Sequence, residues 1–349
     1  MRLKKQSFMN FLYISAGILL FLFAIELLTS STGALAPELE NFMVFIDNPL
    51  NALGLGWISS YIMLSGYPVT VFGLSLFDSG VISEISTFFV VNGSRLGASL
   101  IVIVIGVVES LRKKDIDMID STSIGFMTLL ITYTIVLPAI LIGLLIVRMD
   151  LLNVYFELEF LSLIDIIYQP IVDPVLNFFG PYLGVLIALV TLYFALSIFE
   201  KPFHRMKVEN FKSSWINFLM ERKIYSFLFG AVLTFFSQSV ALSIGLIVPI
   251  YNRGFLQRRN LIPYIMGACV TTFGGTLAVS FLIGNEIAIN LTLAIIIANL
   301  LVSLFYLYFY REYHSYISNL TNFFLQKNSR LFLLLFAMFV SPFLLLVVV

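Results

Sequence analysis

The sequence predicts an all-α polytopic membrane protein built from two repeats of inverted topology, each with a re-entrant helical hairpin and broken helices. Three observations carry that expectation. The chain is 60% hydrophobic and 11% charged, with 35 Phe and a mean hydropathy of +1.00, far above a soluble domain. Gly56, Ser65, Gly80 and Gly93 recur as Gly230, Ser239, Gly254 and Gly267, all at one constant interval. Finally, Lys and Arg occupy some loops while others hold acids alone.

Apolar stretches at 9–30, 85–111, 125–147, 181–199, 261–283, 287–310 and 331–349 reach the roughly 18–20 residues that cross a bilayer. The first follows Arg2, Lys4 and Lys5. It is too long for a signal-peptide core and has no small-residue cleavage site, so it reads as a retained span. The single cysteine, Cys269, excludes an internal disulfide. Residues 1–150 form the first repeat, 151–180 an extracytoplasmic connector, 181–325 the second, inverted repeat, and 326–349 an additional C-terminal transmembrane helix.

Charge sets the topology. Arg2, Lys4, Lys5, Arg112, Lys113, Lys114, the basic segment 201–223, Arg253, Arg258, Arg259, Arg311, Lys327 and Arg330 fall in short loops, which the positive-inside rule places in the cytoplasm. Loops at 31–54, 78–84 and 151–180 carry Glu38, Glu40, Asp47, Asp78, Glu84, Glu157, Glu159, Asp165 and Asp173, and no Lys or Arg. Both basic loops stay inside only if 51–77 dips into the membrane and returns, and 226–250 does the same from the other face. Then 18 of the 20 Lys and Arg are cytoplasmic, Arg95 and Arg148 being the exceptions. The N-terminus is expected in the cytoplasm of a multi-pass cell-membrane protein.

The expected hairpin tips are polar. The first contains Ser59, Ser60 and Ser65, with Gly66 and Pro68 as helix breakers; the second contains Thr234, Ser237, Gln238 and Ser239. Irregular backbone at membrane depth is tolerated only where it is buried or lines a watery cavity. A duplicated polar, broken helix is therefore the best pointer to a solute site. Freed carbonyls with Ser, Thr and Gln oxygens make a hard, oxygen-only ligand set suited to Na+, with Gln238, Ser239 and Ser65 as its expected ligands.

A second small-residue segment follows each hairpin, at Gly93-Ser94-Arg95-Leu96-Gly97-Ala98-Ser99 and at Gly267 through Thr271, Thr272 and Thr276. Gly93, Gly97 and Gly267 are expected helix breaks, and Ser94, Ser99, Thr271 and Thr272 would face an anion at a half-helix N-terminus. Close helix packing is the other reading of such residues. Arg95 stands about ten residues into a span, at a cost of at least ~2.5–3.5 kcal/mol, and is expected to meet an anion rather than snorkel. Glu26 and Glu200, near the ends of matching spans, read as interfacial.

These residues resemble the type II sodium/phosphate cotransporters and their bacterial relatives. The family pattern of Gln-Ser-Ser-Ser, a later Gly, and Gly-x-Asn-Ile-Gly-Thr-Thr is matched in spacing by Gln238-Ser239, Gly254 and Gly267-Ala268-Cys269-Val270-Thr271-Thr272. Ser65, Gly80 and Gly93 through Ser99 match it in the first copy, and the similarity covers roughly 10–110 and 185–285. Leu64-Ser65-Gly66-Tyr67 departs from the first Gln-Ser-Ser-Ser, and the family Asn is Arg95 in one copy and Cys269 in the other.

The resemblance implies sodium-coupled uptake of an inorganic anion, phosphate foremost, by alternating access, with Na+ as coupling ion and no other cofactor. Membrane lipids are the further partners, a homodimer is left open, and no nucleic acid is expected. A non-transporting or lipid-handling protein on the same fold, or a carrier of a different small solute, is the alternative. An enzyme is not expected: the histidines are His204 and His314, both in expected cytoplasmic loops, and neither His-Glu-x-x-His nor Gly-x-Ser-x-Gly occurs.

Overall fold

Within a bilayer every backbone N–H and C=O must find its partner inside the protein, so long apolar runs fold as helices. The computed structural model describes residues 2–46, 48–112, 118–155, 161–204, 219–252 and 256–347, and no strand occurs among them. The longer helices are α1 (Arg2–Ile46), α2 (Pro49–Met63), α3 (Gly66–Asp78), α4 (Glu84–Arg112), α5 (Met118–Arg148), α6 (Leu161–His204), α7 (Lys223–Ser237), α8 (Val240–Asn252), α9 (Arg258–Thr271), α10 (Phe273–Ile283), α11 (Glu286–Tyr308), α12 (Tyr310–Leu325) and α13 (Asn328–Leu345). Among the described residues six helical segments are long and apolar enough to cross a membrane: those of α1, α4, α5, α6, α9 with α10, and α11. The expected seventh span, α13, meets that standard only together with α12, from which it bends by 107°. Gly254, Asp47, Glu157, Glu159, Lys113, Lys114 and the basic segment 205–218 lie outside the described residues.

The duplication governs the element boundaries. Helix α2 spans 49–63 where α7 spans 223–237, and α3 spans 66–78 where α8 spans 240–252. All four ends keep the offset that separates Gly56 from Gly230. Each pair folds back as a hairpin. A Cβ on Gly56 in α2 would overlap the Val90 carbonyl, and one on Gly73 in α3 would lie 3.0 Å from the Val90 side chain. The chain thus leaves and returns to the same level of α4. In the second copy Thr234 Oγ1 and Ser243 Oγ lie 2.8 Å apart although nine residues separate them. In a continuous helix that separation would be about 13 Å.

The repeated glycines explain how tightly these hairpins pack. Cβ atoms on Gly56 and Gly93 would overlap the carbonyls of Val90 and Leu53, and Cβ atoms on Gly230 and Gly267 those of Tyr264 and Phe227. The first arm of each hairpin therefore crosses the helix that follows the hairpin backbone to backbone, as small residues permit in membranes. This corrects the expected breaks. Helix α4 runs unbroken through Gly93 and Gly97, and Gly267 lies inside α9. Pro68 is the third residue of α3, where its missing N–H costs no helical bond.

Two expected loops are also helical. Helix α1 continues through 31–46, including Pro37. Much of the expected connector forms the first limb of α6, which turns at Gly180 (φ 76°, ψ 167°) before Pro181. A Cβ on Gly184 would meet Leu176 at 2.7 Å, so the two limbs lie side by side. The second limb packs along α1, with Gly17 against Phe199 and Gly184 against Ser31. Helix α13 packs on α2, where Tyr61 stacks on Phe339 and donates to the Met338 carbonyl at 3.1 Å.

Candidate functional site

Both hairpins turn in the same way. Leu64 (φ 51°, ψ 21°) ends α2 and Gln238 (φ 54°, ψ 12°) ends α7 in the left-handed region, which costs a non-glycine residue roughly 1–2 kcal/mol. The serine that follows caps the returning arm: Ser65 Oγ accepts from Tyr67 N–H at 3.4 Å, and Ser239 Oγ from Leu242 N–H at 3.2 Å. Such side-chain caps satisfy N–H groups that the first helical turn leaves open.

The tips meet at a cavity of about 110 Å³. Leu64 and Gln238, Ser65 and Ser239, Gly66 and Val240, Arg95 and Cys269, Ala98 and Thr272, and Ser99 and Phe273 all line it. Each pair is one internally equivalent position of the two copies, set apart by the repeat interval. The cavity therefore lies where the copies face each other. Tyr67, Thr128, Thr132, Leu196 and Glu200 add to its wall.

Arg95 is its cationic pole. The side chain is 8% exposed. Its Nη2 donates to the Thr272 carbonyl at 2.7 Å and to Thr276 Oγ1 at 3.4 Å, and the guanidinium stands 4.8 Å from the Phe273 ring centre. Nε has no hydrogen-bond partner. Arg95 thus spans from the first copy to the α9–α10 junction of the second and keeps a donor in reserve. It does not snorkel. Nearby, Tyr67 Oη donates to the Gly275 carbonyl at 3.0 Å, and Thr132 Oγ1 meets Cys269 Sγ at 3.3 Å.

Side-chain oxygens gather at the second tip. Gln238 donates its amide hydrogen to the Phe235 carbonyl, while its Oε1 is buried without a hydrogen-bond partner. Ser239 and Glu200 both line the cavity at this tip.

Of the residues expected at a site, Ser65, Gly66, Arg95, Ser99, Gln238, Ser239 and Thr272 line this cavity. Four others do not. Ser60 Oγ donates to the carbonyls of Gly56 and Ser94, both at 2.9 Å, and Ser94 Oγ to Val91 at 2.7 Å. Thr234 bonds Ser243, and Thr271 Oγ1 donates to Ala231 at 2.8 Å. Ser60 and Thr271 thus tie each hairpin to the helix that follows it, Thr234 joins the two arms of the second hairpin, and Ser94 bonds within its own helix, because buried polar groups take a nearby partner. Glu200, read as interfacial, is instead part of the wall, and Tyr67, Thr128, Thr132 and Cys269 were not among the expected site residues. Thr128 and Thr132, one turn apart in an apolar helix, were the visible clue; Glu200 carried none beyond its position inside the last turns of a span.

The comparisons with known proteins bear on this region. Residues 191–338, from the second limb of α6 into α13, match the family model described as Na+/Pi-cotransporter. No curated protein and no solved structure matches the chain.

Proposed function

We propose, from the premise that this chain carries a Na+/Pi-cotransporter family domain and is a multi-pass membrane transport protein rather than an enzyme, that it takes up an inorganic anion, phosphate, coupled to Na+. The observation that carries the reading is the buried Arg95 at a cavity walled by both hairpin tips. A guanidinium is a rigid fork of donors that matches phosphate oxygens. Its desolvation is costly unless an opposite charge visits it, and Nε is a donor held open for such a visitor.

Na+ is the second substrate. The donors offered to it are Gln238 Oε1 and the hydroxyls of Ser239 and Ser65, each hydroxyl keeping a lone pair beyond the one that caps its helix. Bound together, cation and anion neutralise one another at membrane depth, which lowers the cost of carrying either.

In this reading the hairpins are re-entrant from opposite faces and the two copies are inverted, with the N-terminus in the cytoplasm of the cell membrane. Arms of 15 and 13 residues rise about 22 and 20 Å, short of the ~30 Å hydrocarbon core. Alternating access then moves the hairpin tips about a fixed midplane site. The wall extends from Arg95 to Val102 in α4, to Thr128 in α5 and to Glu200 in α6, toward ends that the charge pattern puts in the cytoplasm. In this reading the cavity opens toward the cytoplasm. Titration calorimetry of the purified protein with phosphate tests this: binding heat in Na+ that vanishes in choline supports the reading, and no heat in either overturns it.

A further inference from the structure

Three polar links join the returning arm of the first hairpin to the second copy. Tyr67 Oη donates to the Gly275 carbonyl at 3.0 Å, Thr276 Oγ1 to Thr70 Oγ1 at 3.4 Å, and Asn285 Nδ2 to Asp78 Oδ1 at 3.0 Å. They run along α3 from its first turn to its last residue, and along α10 from its first turn to the residue that caps α11. Tyr67, Thr70 and Thr276 are buried, and Asp78 is exposed. Asp78 begins the acidic loop 78–84, which the charge pattern puts outside the cell.

The other copy lacks this seam. The repeat interval sets Tyr67, Thr70 and Asp78 against Ala241, Ile244 and Asn252 in α8, and Gly275, Thr276 and Asn285 against Ile101, Val102 and Leu111 in α4. The first two counterpart pairs have no polar side chain, and the third keeps one. The cavity runs along Ile101 and Val102, whereas Gly275 and Thr276 are bonded to Tyr67 and Thr70. One crossing is therefore shut where its internal counterpart lies open to the cavity.

In copies of opposite orientation, such a pair of crossings faces opposite sides of the membrane. The chemistry of the shut one suits a contact that parts. A hydrogen bond broken into water regains its partners there, so each link contributes little net free energy and yields at small cost. We infer that the crossing of α3 and α10 is the extracytoplasmic gate of the transport path, held shut by the links of Tyr67, Thr70 and Asp78. The inference rests on the reading of two inverted copies working by alternating access, and not on the identity of the solute.

Cys269 lines the cavity and is a native reporter for the test. In right-side-out vesicles a membrane-impermeant methanethiosulfonate should label it about two- to tenfold faster in Tyr67→Phe and in Asp78→Ala than in wild type, the range expected for one lost link. A second measurement fixes the gate instead of loosening it. Full-length protein carrying Asp78→Cys with Asn285→Cys, bridged from outside by a short, reducible bis-methanethiosulfonate, should lose Na+-driven phosphate uptake in proteoliposomes, keep phosphate binding in detergent, and regain uptake on reduction. External labelling of Cys269 that neither single substitution speeds overturns the inference, as does bridged protein that transports at its unbridged rate. Faster external labelling in a protein that takes up no phosphate supports the gate and removes the phosphate reading alone.

Discussion

Replacing Arg95 by Met separates a functional charge from a structural one. The wild-type side chain makes a charge-assisted bond of 2.7 Å to the Thr272 carbonyl, which contributes about 1.5–3 kcal/mol, and a desolvated contact with Phe273 at 4.8 Å, which contributes about 2 kcal/mol. Its loss also leaves the Thr272 carbonyl unpaired, at about 1–3 kcal/mol. Against this stands the desolvation of a buried guanidinium, several kcal/mol, and apolar replacements of buried charges are often neutral or stabilising by about 1–4 kcal/mol. The opposing contributions nearly offset, so Arg95→Met should melt within about 5 °C of wild type. Phosphate binding should respond differently. Two charge-assisted bonds at about 1.5–3 kcal/mol each amount to a loss of roughly 10²–10⁴-fold in affinity. Arg95→Lys keeps the charge without the fork and should lose about one such bond, roughly 10–100-fold. Thermal unfolding in detergent together with phosphate titration reads both quantities. An Arg95→Met protein that melts far below wild type but binds phosphate with unchanged affinity would refute the reasoning and make Arg95 a strut between the copies.

The glycine crossings should behave as matched pairs: Gly56→Ala and Gly230→Ala each drive a Cβ into a carbonyl and should lower stability by about 1–3 kcal/mol or more. Gly33→Ala, with open space around it, should be neutral or stabilising by about 1 kcal/mol, and equal melting temperatures for all three would contradict the packing account. Leu64→Gly and Gln238→Gly relieve the same left-handed strain at the two tips; both should fold, yet only Gln238→Gly should lose Na+-dependent phosphate binding, because only it removes an oxygen ligand. Cys269, the single cysteine, lines the cavity, so a small thiol reagent should label it faster in inside-out than in right-side-out vesicles, and phosphate should slow the reaction. Labelling that is indifferent to sidedness and phosphate would count against the inward-facing reading.

Much of the hairpin architecture was legible because it is written twice. The constant interval between the copies located both turns, and Ser65 and Ser239 proved to be equivalent helix caps. Arg95 was legible on cost alone, since a charge within an apolar span needs a reason. The glycines misled. A small residue inside an apolar helix gives the same signal whether the helix breaks there or another backbone crosses it. The partner carbonyls, Leu53 for Gly93 and Phe227 for Gly267, lie a whole hairpin earlier in the chain. Hydroxyl positions were ambiguous for a related reason. Ser60 in the hairpin and Ser99 in the small-residue segment look alike as hydroxyls among apolar residues, but Ser60 has the Ser94 carbonyl of a crossing helix within 2.9 Å and Ser99 lines the cavity. The loops at 31–54 and 151–180 were read from charge, which reports the side of the membrane and not the backbone conformation; the helices simply run on past the apolar region.

The most direct test of the central claim is uptake of radiolabelled phosphate into proteoliposomes holding the wild-type protein. An inward Na+ gradient should drive accumulation, equimolar choline should abolish it, and Arg95→Met, reconstituted to the same density, should show none. Folded wild-type protein that accumulates no phosphate under a Na+ gradient, or Arg95→Met vesicles that accumulate it at the wild-type rate, would contradict the account.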